Sequence, residues 1–301
     1  MFCAFQCQTQ QLPIYTYNNF NLLGANPATA GSQSCLNLKM GLRRQWVGIP
    51  GAPETAYMSA HGNFGKKRFS FHGAGVNVET DEAGPAGFTS LSGVYAYHLK
   101  VNNDNMLSFG LSVGFSQFRI SRGELTPNSS FDADPALPRT NNQFLFPQVG
   151  AGIWLENSER YIGFSIKNLV ENTLDEIGLD NQSKFRRHYF FTAGKVISLE
   201  KELFFKPSVN LRYVSGAPVA FDFTALFNYN ESFEMGLAFR GGHGISGLVK
   251  LNVLKYLTIG YAYDLTLNKL RLGSRSSHEI LFGIQACPRG SSKGIHCSAY
   301  E

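Results

Sequence analysis

Five cysteines and seven histidines are the residues of this 301-residue chain best suited to metal, redox or nucleophilic chemistry. Cys3, Cys7 and Cys35 lie toward the N-terminus, Cys287 and Cys297 near the C-terminus. A zinc site asks for ligand pairs at short, fixed spacings. Cys287 and Cys297, with His296 beside the second, form only a loose C-x₉-C with one histidine, so no metal is expected. The two cysteines close a short loop and can pair in an oxidising compartment. The other histidines, His61, His72, His98, His188, His243 and His278, are dispersed and read as packed or solvated side chains. No G-x-S-x-G nucleophile elbow occurs. "HGNFGKKRF" and "FRGGHGISG" set glycines beside basic residues but lack the strand–loop–helix context of a phosphate cradle. Neither an enzyme nor a cofactor is expected.

Charge points the same way. The net charge is +5, yet the basic residues are scattered, and the densest groups (Arg43-Arg44, Lys66-Lys67-Arg68 and Arg186-Arg187) are short. They fit strand ends facing water or lipid headgroups rather than a nucleic-acid surface.

The elements that must position these groups are strands. In "NMLSFGLSVGFSQF", Leu107, Phe109, Leu111, Val113 and Phe115 alternate with Ser108, Gly110, Ser112 and Gly114. Such period-two alternation marks a strand with two unlike faces. It recurs at Leu36–Arg43, Gln148–Leu155, Leu203–Tyr213, Val219–Asn228, Phe233–Arg240 and Leu257–Leu267. Fourteen strands are expected, near 35–45, 54–62, 69–79, 88–99, 105–118, 144–156, 159–168, 186–198, 202–214, 218–229, 231–241, 246–255, 256–266 and 277–286. Most exceed the five or six residues usual in soluble sheets and match the length of a tilted membrane strand. In "RFSFHGAGVNV" the apolar parity changes between Phe71 and Val76, which predicts a bulge at Gly73–Gly75.

Connections alternate too. "NFGKKR", "KVNNDN", "ENSE", "LEK" and "NYNE" are short, whereas "WVGIPGAP", "TDEAGPAG", 119–143 and 169–185 are longer. Short turns on one rim and long loops on the other belong to an outer-membrane barrel. The expected fold class is therefore all-β, a transmembrane antiparallel up-and-down β-barrel of about 14 strands. An even strand number returns both termini to the periplasmic rim, and outer-membrane lipid faces the wall. The other reading, a soluble β-sandwich, calls for shorter strands and a Lys-, Glu- and Thr-rich second face.

The small Gly/Ser face then lines the interior, where it lets something pack closely or leaves space. The inner parity also carries Lys39, Arg43, Lys206, Arg212, Asp222, Glu234, Arg240 and Asp264. These charges either pair and fill the interior or line a wet channel. Their mixed signs favour pairing around a plug or bound segment. In "LRRQWVGIPGAPE", Gly48, Pro50, Gly51 and Pro53 make a stiff turn beside Trp46. It is either a rim loop that recognises a protein or an interfacial Trp anchor.

At these residues the chain resembles the PorP/SprF family of type IX secretion system membrane proteins. The resemblance rests on Asn26-Pro27-Ala28 and Gly31, then Arg43, Gln45, Trp46, Gly48, Ala52 and Pro53, then Ser59-Ala60-His61-Gly62. Asp134-Pro135-Ala136, "KPSVNLRYVSGAP", "IGYAYDLTLNKL" and "SSHEILFG" extend it from about Asn18 to Gly283. It implies an outer-membrane barrel of Bacteroidota-type bacteria that helps export, or holds at the surface, proteins with a C-terminal sorting domain. It also implies periplasmic, peptidoglycan-linked type IX partners and, in some members, gliding motility. Asn26, Pro27, Arg43, Gln45, Trp46, Gly48, Pro53, Asp134 and Pro135 are the implied motif residues.

The expected organisation is a signal-peptide remnant or mature N-terminal segment over 1–17, a barrel over 18–286 and a tail over 287–301. The tail departs from the family, whose last strand normally ends near a terminal aromatic. Here it is expected to lie in the periplasm, with Cys287 and Cys297 as its possible disulfide.

Overall fold

The computed structural model describes residues 13, 15–33, 35–65, 69–102, 104–121, 142–173, 184–254, 256–267, 273–274 and 276–287. Fourteen strands form the wall: β1 Leu36–Arg44, β2 Glu54–Phe64, β3 Ser70–Ala83, β4 Ala86–Lys100, β5 Met106–Ile120, β6 Asn142–Glu156 and β7 Arg160–Lys167. They continue as β8 His188–Lys195, β9 Leu203–Val214, β10 Ala220–Tyr229, β11 Phe233–Arg240, β12 Gly244–Leu254, β13 Leu257–Thr266 and β14 Ser276–Ala286. Each strand pairs antiparallel with its sequence neighbours. The pairing of β1 with β14, Leu36↔Ala286 through Arg44↔His278, closes the barrel. Closure satisfies every strand edge, which hydrocarbon requires.

The apolar parity faces outward. Phe109, Leu111, Val113 and Phe115 on β5 are exposed, as are Phe221, Phe223 and Phe227 on β10 and Ile259, Tyr261 and Tyr263 on β13. The opposite parity is buried in the lumen, including Ser108 and Ser116 on β5. Lipid therefore covers the oily face. Val113→Arg, in the middle of β5, is expected to cost about 2–4 kcal/mol of folding stability in a bilayer. Denaturant titration in phospholipid vesicles reads this directly, with Asp104→Arg in the β4–β5 turn as a control that leaves the midpoint in place. An unshifted midpoint for Val113→Arg contradicts the orientation.

Two local expectations are corrected. "TDEAGPAG" is not a long loop: β3 and β4 stay paired to Ala83↔Ala86 and turn through two residues. Thr55 donating to Asp81, and the Arg119–Glu82 ion pair at 2.9 Å, give these polar strand ends partners outside the hydrocarbon. Nor is there a bulge at Gly73–Gly75, because β2 and β3 run in unbroken register from Glu54↔Glu82 to Phe64↔His72. The parity changes because Phe71 points into the lumen and stacks on His98, with ring centroids 4.4 Å apart. Val76 lies on the opposite, lipid-facing side.

The lumen is the core. Residues Tyr15 to Gln33 run through it, with a helical turn at Leu22–Ala25 and a 3₁₀ turn at Pro27–Thr29. Tyr17, Phe20, Leu22, Leu23, Ala28 and Ala30 are buried there. This segment spans the expected boundary at 17/18 as one continuous plug. Tyr15 and Thr16 meet the long-loop halves of β3, β13 and β14, whereas Asn26 to Gln33 meet the short-turn halves of β2 and β4 to β6. The chain thus descends the lumen before it enters β1.

The expected Cys287–Cys297 pairing is also corrected: Cys287 is bonded to Cys35. Because Leu36 and Ala286 are register partners, the residues just outside them are brought face to face. Cys297 lies outside the described residues.

Candidate functional site

The plug sits on the small-residue face of the wall. A Cβ at Gly110 would lie 2.1 Å from the Ala28 nitrogen, and one at Gly73 only 1.7 Å from the Ala30 carbonyl oxygen. The glycines thus let the 3₁₀ turn approach the strand backbones. Asn26 caps that turn by accepting from the Ala28 N–H at 3.0 Å. Its amide also donates to the Ile153 and Phe164 carbonyls at 3.1 and 3.3 Å. Pro27 follows at the first position of the turn, where its missing N–H costs nothing. His98, fully buried, donates from Nε2 to the Ala30 carbonyl at 2.8 Å and takes the Ser108 hydroxyl on Nδ1 at 2.7 Å. Gly31 N–H donates to His61 Nδ1 at 3.0 Å. Below the plug, Trp154 stacks on Tyr161 with centroids 5.1 Å apart, and its indole N–H donates to Glu156.

Upstream, five consecutive plug residues each donate to the wall. Tyr15 donates its hydroxyl to Glu79 and Tyr17 to Glu234. Thr16 donates its N–H to Glu279 and its hydroxyl to Asp264 at 2.8 Å. Asn18 donates to Asp222 at 2.7 Å, and Asn19 to Ser208 at 2.8 Å. Each of these carboxylates is also held by wall cations. Asp222 takes Arg212 and Arg240, both at 3.0 Å. Glu234 takes Lys206 at 3.3 Å and Lys250 at 2.9 Å. Arg43 lies 2.7 Å from Asp264 and 3.8 Å from Glu279, and Lys167 lies 3.6 Å from Glu79. Of the two competing readings of the inner charges, pairing around a plug is the one seen.

Two interior cavities between plug and wall have about 20 Å³ each, room for a water. Nearer the long loops, Phe185 closes a second layer. It is carried by a short ribbon, Asn172–Thr173 with Lys184–Phe185, and stacks on Phe146 at 4.3 Å with Phe88 and Phe118 around it. His243, in the β11–β12 turn, is held below the ordinary imidazole range by burial and then by the Arg240 charge, so it is neutral at pH 7.

Of the residues singled out in the sequence, Asn26, Pro27 and Arg43 all face the lumen, Asn26 and Pro27 in the plug toward the short turns and Arg43 on the wall toward the long loops. Gln45, Trp46, Gly48 and Pro53 form the β1–β2 rim loop, away from the plug. Gln45 N–H donates to the Pro53 carbonyl at 2.9 Å and closes the loop's neck. Trp46, half-buried, holds a left-handed backbone at φ 44°. The loop leans on β14: Trp46 N–H donates to the Ser277 hydroxyl at 3.0 Å. The Trp loop, the "YAYDL" strand and the "SSHEI" strand are therefore one neighbourhood, joined through Arg43, Asp264 and Glu279. Asp134 and Pro135 lie outside the described residues. Sequence reasoning missed Tyr15 to Asn19, Glu79, Lys167, Lys250 and Glu279. The four wall charges share the inward parity of their strands, and that was the available signal.

The profile of the family described as Type IX secretion system membrane protein PorP/SprF matches residues 7–284. No curated relative matches the chain. Among solved structures, the P. putida toluene transporter TodX superposes with a TM-score of 0.54 at 8% identity, over 88% of this chain and 93% of that one. The CymD monoaromatic hydrocarbon channel gives 0.52 at 12% identity, over 88% and 91%. At such identities the likeness is one of fold.

Proposed function

The chain belongs to the PorP/SprF family of type IX secretion system membrane proteins, and from that premise we propose an outer-membrane barrel that helps export, or anchors at the cell surface, secreted proteins bearing a C-terminal sorting domain. In this reading the short-turn rim, where Leu36 begins and Ala286 ends the wall, faces the periplasm and its peptidoglycan-linked type IX components. The long-loop rim faces outward and meets the cargo, and gliding cells depend on the barrel where the cargo is a motility adhesin.

The observation that supports holding over conducting is the plug. A passive pore needs a wet path, whereas this lumen is crossed by the chain's own segment, bonded to five wall carboxylates. The wall residues work by recognition, through buried anchors and hydrogen bonds.

Affinity purification of the tagged barrel in mild detergent is expected to recover a secreted protein with a C-terminal sorting domain. Deleting that domain is expected to abolish recovery. Retrieval of other type IX components without any such cargo, together with a steady single-channel current from the purified barrel, would favour the passive pore or solute transporter.

A further inference from the structure

In an up-and-down barrel every neighbouring pair of strands is joined by a turn except the first and the last. That seam is held by its ladder alone, so it is where a wall could part sideways. Here nine residue pairs join β1 to β14, and both ends of the ladder carry an extra fastening. At the short-turn rim Cys35 is bonded to Cys287 across a sequence separation of 252. The bond supplies the covalent link that topology omits. At the long-loop rim the Trp46 loop reaches over β14. Val47 N–H donates to the Ser276 carbonyl at 3.0 Å, and the Ser274 hydroxyl donates to the Val47 carbonyl at 2.8 Å. Trp46 bonds Ser277, and just below, Arg43 faces Glu279 across the same pair of strands.

We propose that this seam is a permanently shut joint, clasped by Cys35–Cys287 at one rim and by the Trp46 loop at the other, so that a polypeptide reaches or leaves the lumen only along the barrel axis. The plug strengthens the assignment, because its root at Gln33 leads straight into Cys35 and β1. Parting the seam would drag the plug with it. Forming the clasp removes one proton and one electron from each thiol. The disulfide of a thiol–disulfide oxidoreductase in an oxidising compartment accepts them and leaves as the dithiol.

The test uses the full chain purified from membranes. Thiols are blocked with N-ethylmaleimide before denaturation, and the digest is analysed by mass spectrometry. The expected product is the Cys35 peptide joined to the Cys287 peptide. Maleimide on both cysteines, or Cys287 joined to Cys297, overturns the proposal. A second measurement locks the seam further. Leu42 and Ile280 are register partners on the lipid face, so Leu42→Cys with Ile280→Cys places a second disulfide on the ladder. Surface-held cargo is expected at the wild-type level whether that bond is formed or reduced. A several-fold fall on oxidation, restored by reductant, shows that the seam opens and overturns the proposal. This arm rests on the anchoring reading. Absence of cargo even with the wild-type barrel would sink that reading instead, and the cross-linked peptide would still decide the seam.

Discussion

Replacing Gly73 with valine is expected to dislodge the N-terminal segment from the lumen while leaving the wall assembled. The Cβ of any side chain there would lie 1.7 Å from the Ala30 oxygen and 2.6 Å from its carbonyl carbon, both backbone atoms. No rotamer change relieves such a clash, so the plug backbone or the strand must move. The wall is held in register on both sides of Gly73, by Asn63 and by Ala96, so the plug is the softer partner. Its retreat breaks the His98–Ala30 and Asn63–Gly31 hydrogen bonds. Overpacking of about 1–3 kcal/mol corresponds to roughly a 5- to 150-fold rise in the plug-out population. Two measurements follow it: chymotrypsin cleavage near Tyr15 and Tyr17 in the folded barrel, and ion current across a planar bilayer. Ala74→Val, one residue on and lipid-facing, is expected to change neither. Wild-type protection of the segment in Gly73→Val would contradict the close approach of plug and wall.

That result bears on what the sequence could disclose. Alternation along β5 was legible because one face meets a uniform solvent, hydrocarbon, and admits only large apolar groups. Its other face showed that something comes close at Gly110 but not what, since the occupant arrives from about eighty residues upstream. Asn26 and Pro27 stood out as a motif, yet their role as cap and first residue of a lumenal turn depends on carbonyls of β6 and β7. The carboxylates that hold the plug range from Glu79 to Glu279 and become neighbours only when the cylinder closes. The β3–β4 hairpin resembles a loop in sequence for a local reason: Thr80, Asp81 and Glu82 are polar because those ends rise out of the hydrocarbon, not because the chain leaves the sheet. For Cys287, proximity along the chain favours Cys297, whereas its bonded partner is Cys35. Closure of an up-and-down barrel makes the first and last strands adjacent, and an even number makes them antiparallel, so Cys35 and Cys287 flank ends that meet, and topology rather than distance along the chain decides the pairing.

The same closure sets the largest expected energetic effect. Asp222 sits between Arg212 and Arg240, both at 3.0 Å, and also accepts from Asn18 of the plug. Its side chain is 2% exposed, and those of the two arginines 16% and 8%. Asp222→Ala leaves two guanidiniums in the lumen without this carboxylate, and arginine does not relieve the charge by losing its proton. Removing one member of a buried charge cluster costs about 3–5 kcal/mol. Asp222→Ala is therefore expected to lower the unfolding free energy in vesicles by that much, with a matching fall in the denaturant midpoint, and to loosen the plug at Asn18. Exchanging the arginines as well, Arg212→Met and Arg240→Met on the Asp222→Ala background, is expected to recover most of the loss, because apolar side chains then replace the whole Asp222 cluster and neither guanidinium is left without that carboxylate. The Arg44–Glu54 pair on the exterior supplies the comparison: both side chains are more than half exposed, and Glu54→Ala is expected to cost no more than about 1 kcal/mol. If Asp222→Ala unfolds with the same midpoint as Glu54→Ala, water reaches the cluster and screens it. The lumen would then be a wet passage at that depth, and the plug a partial obstruction rather than a seal.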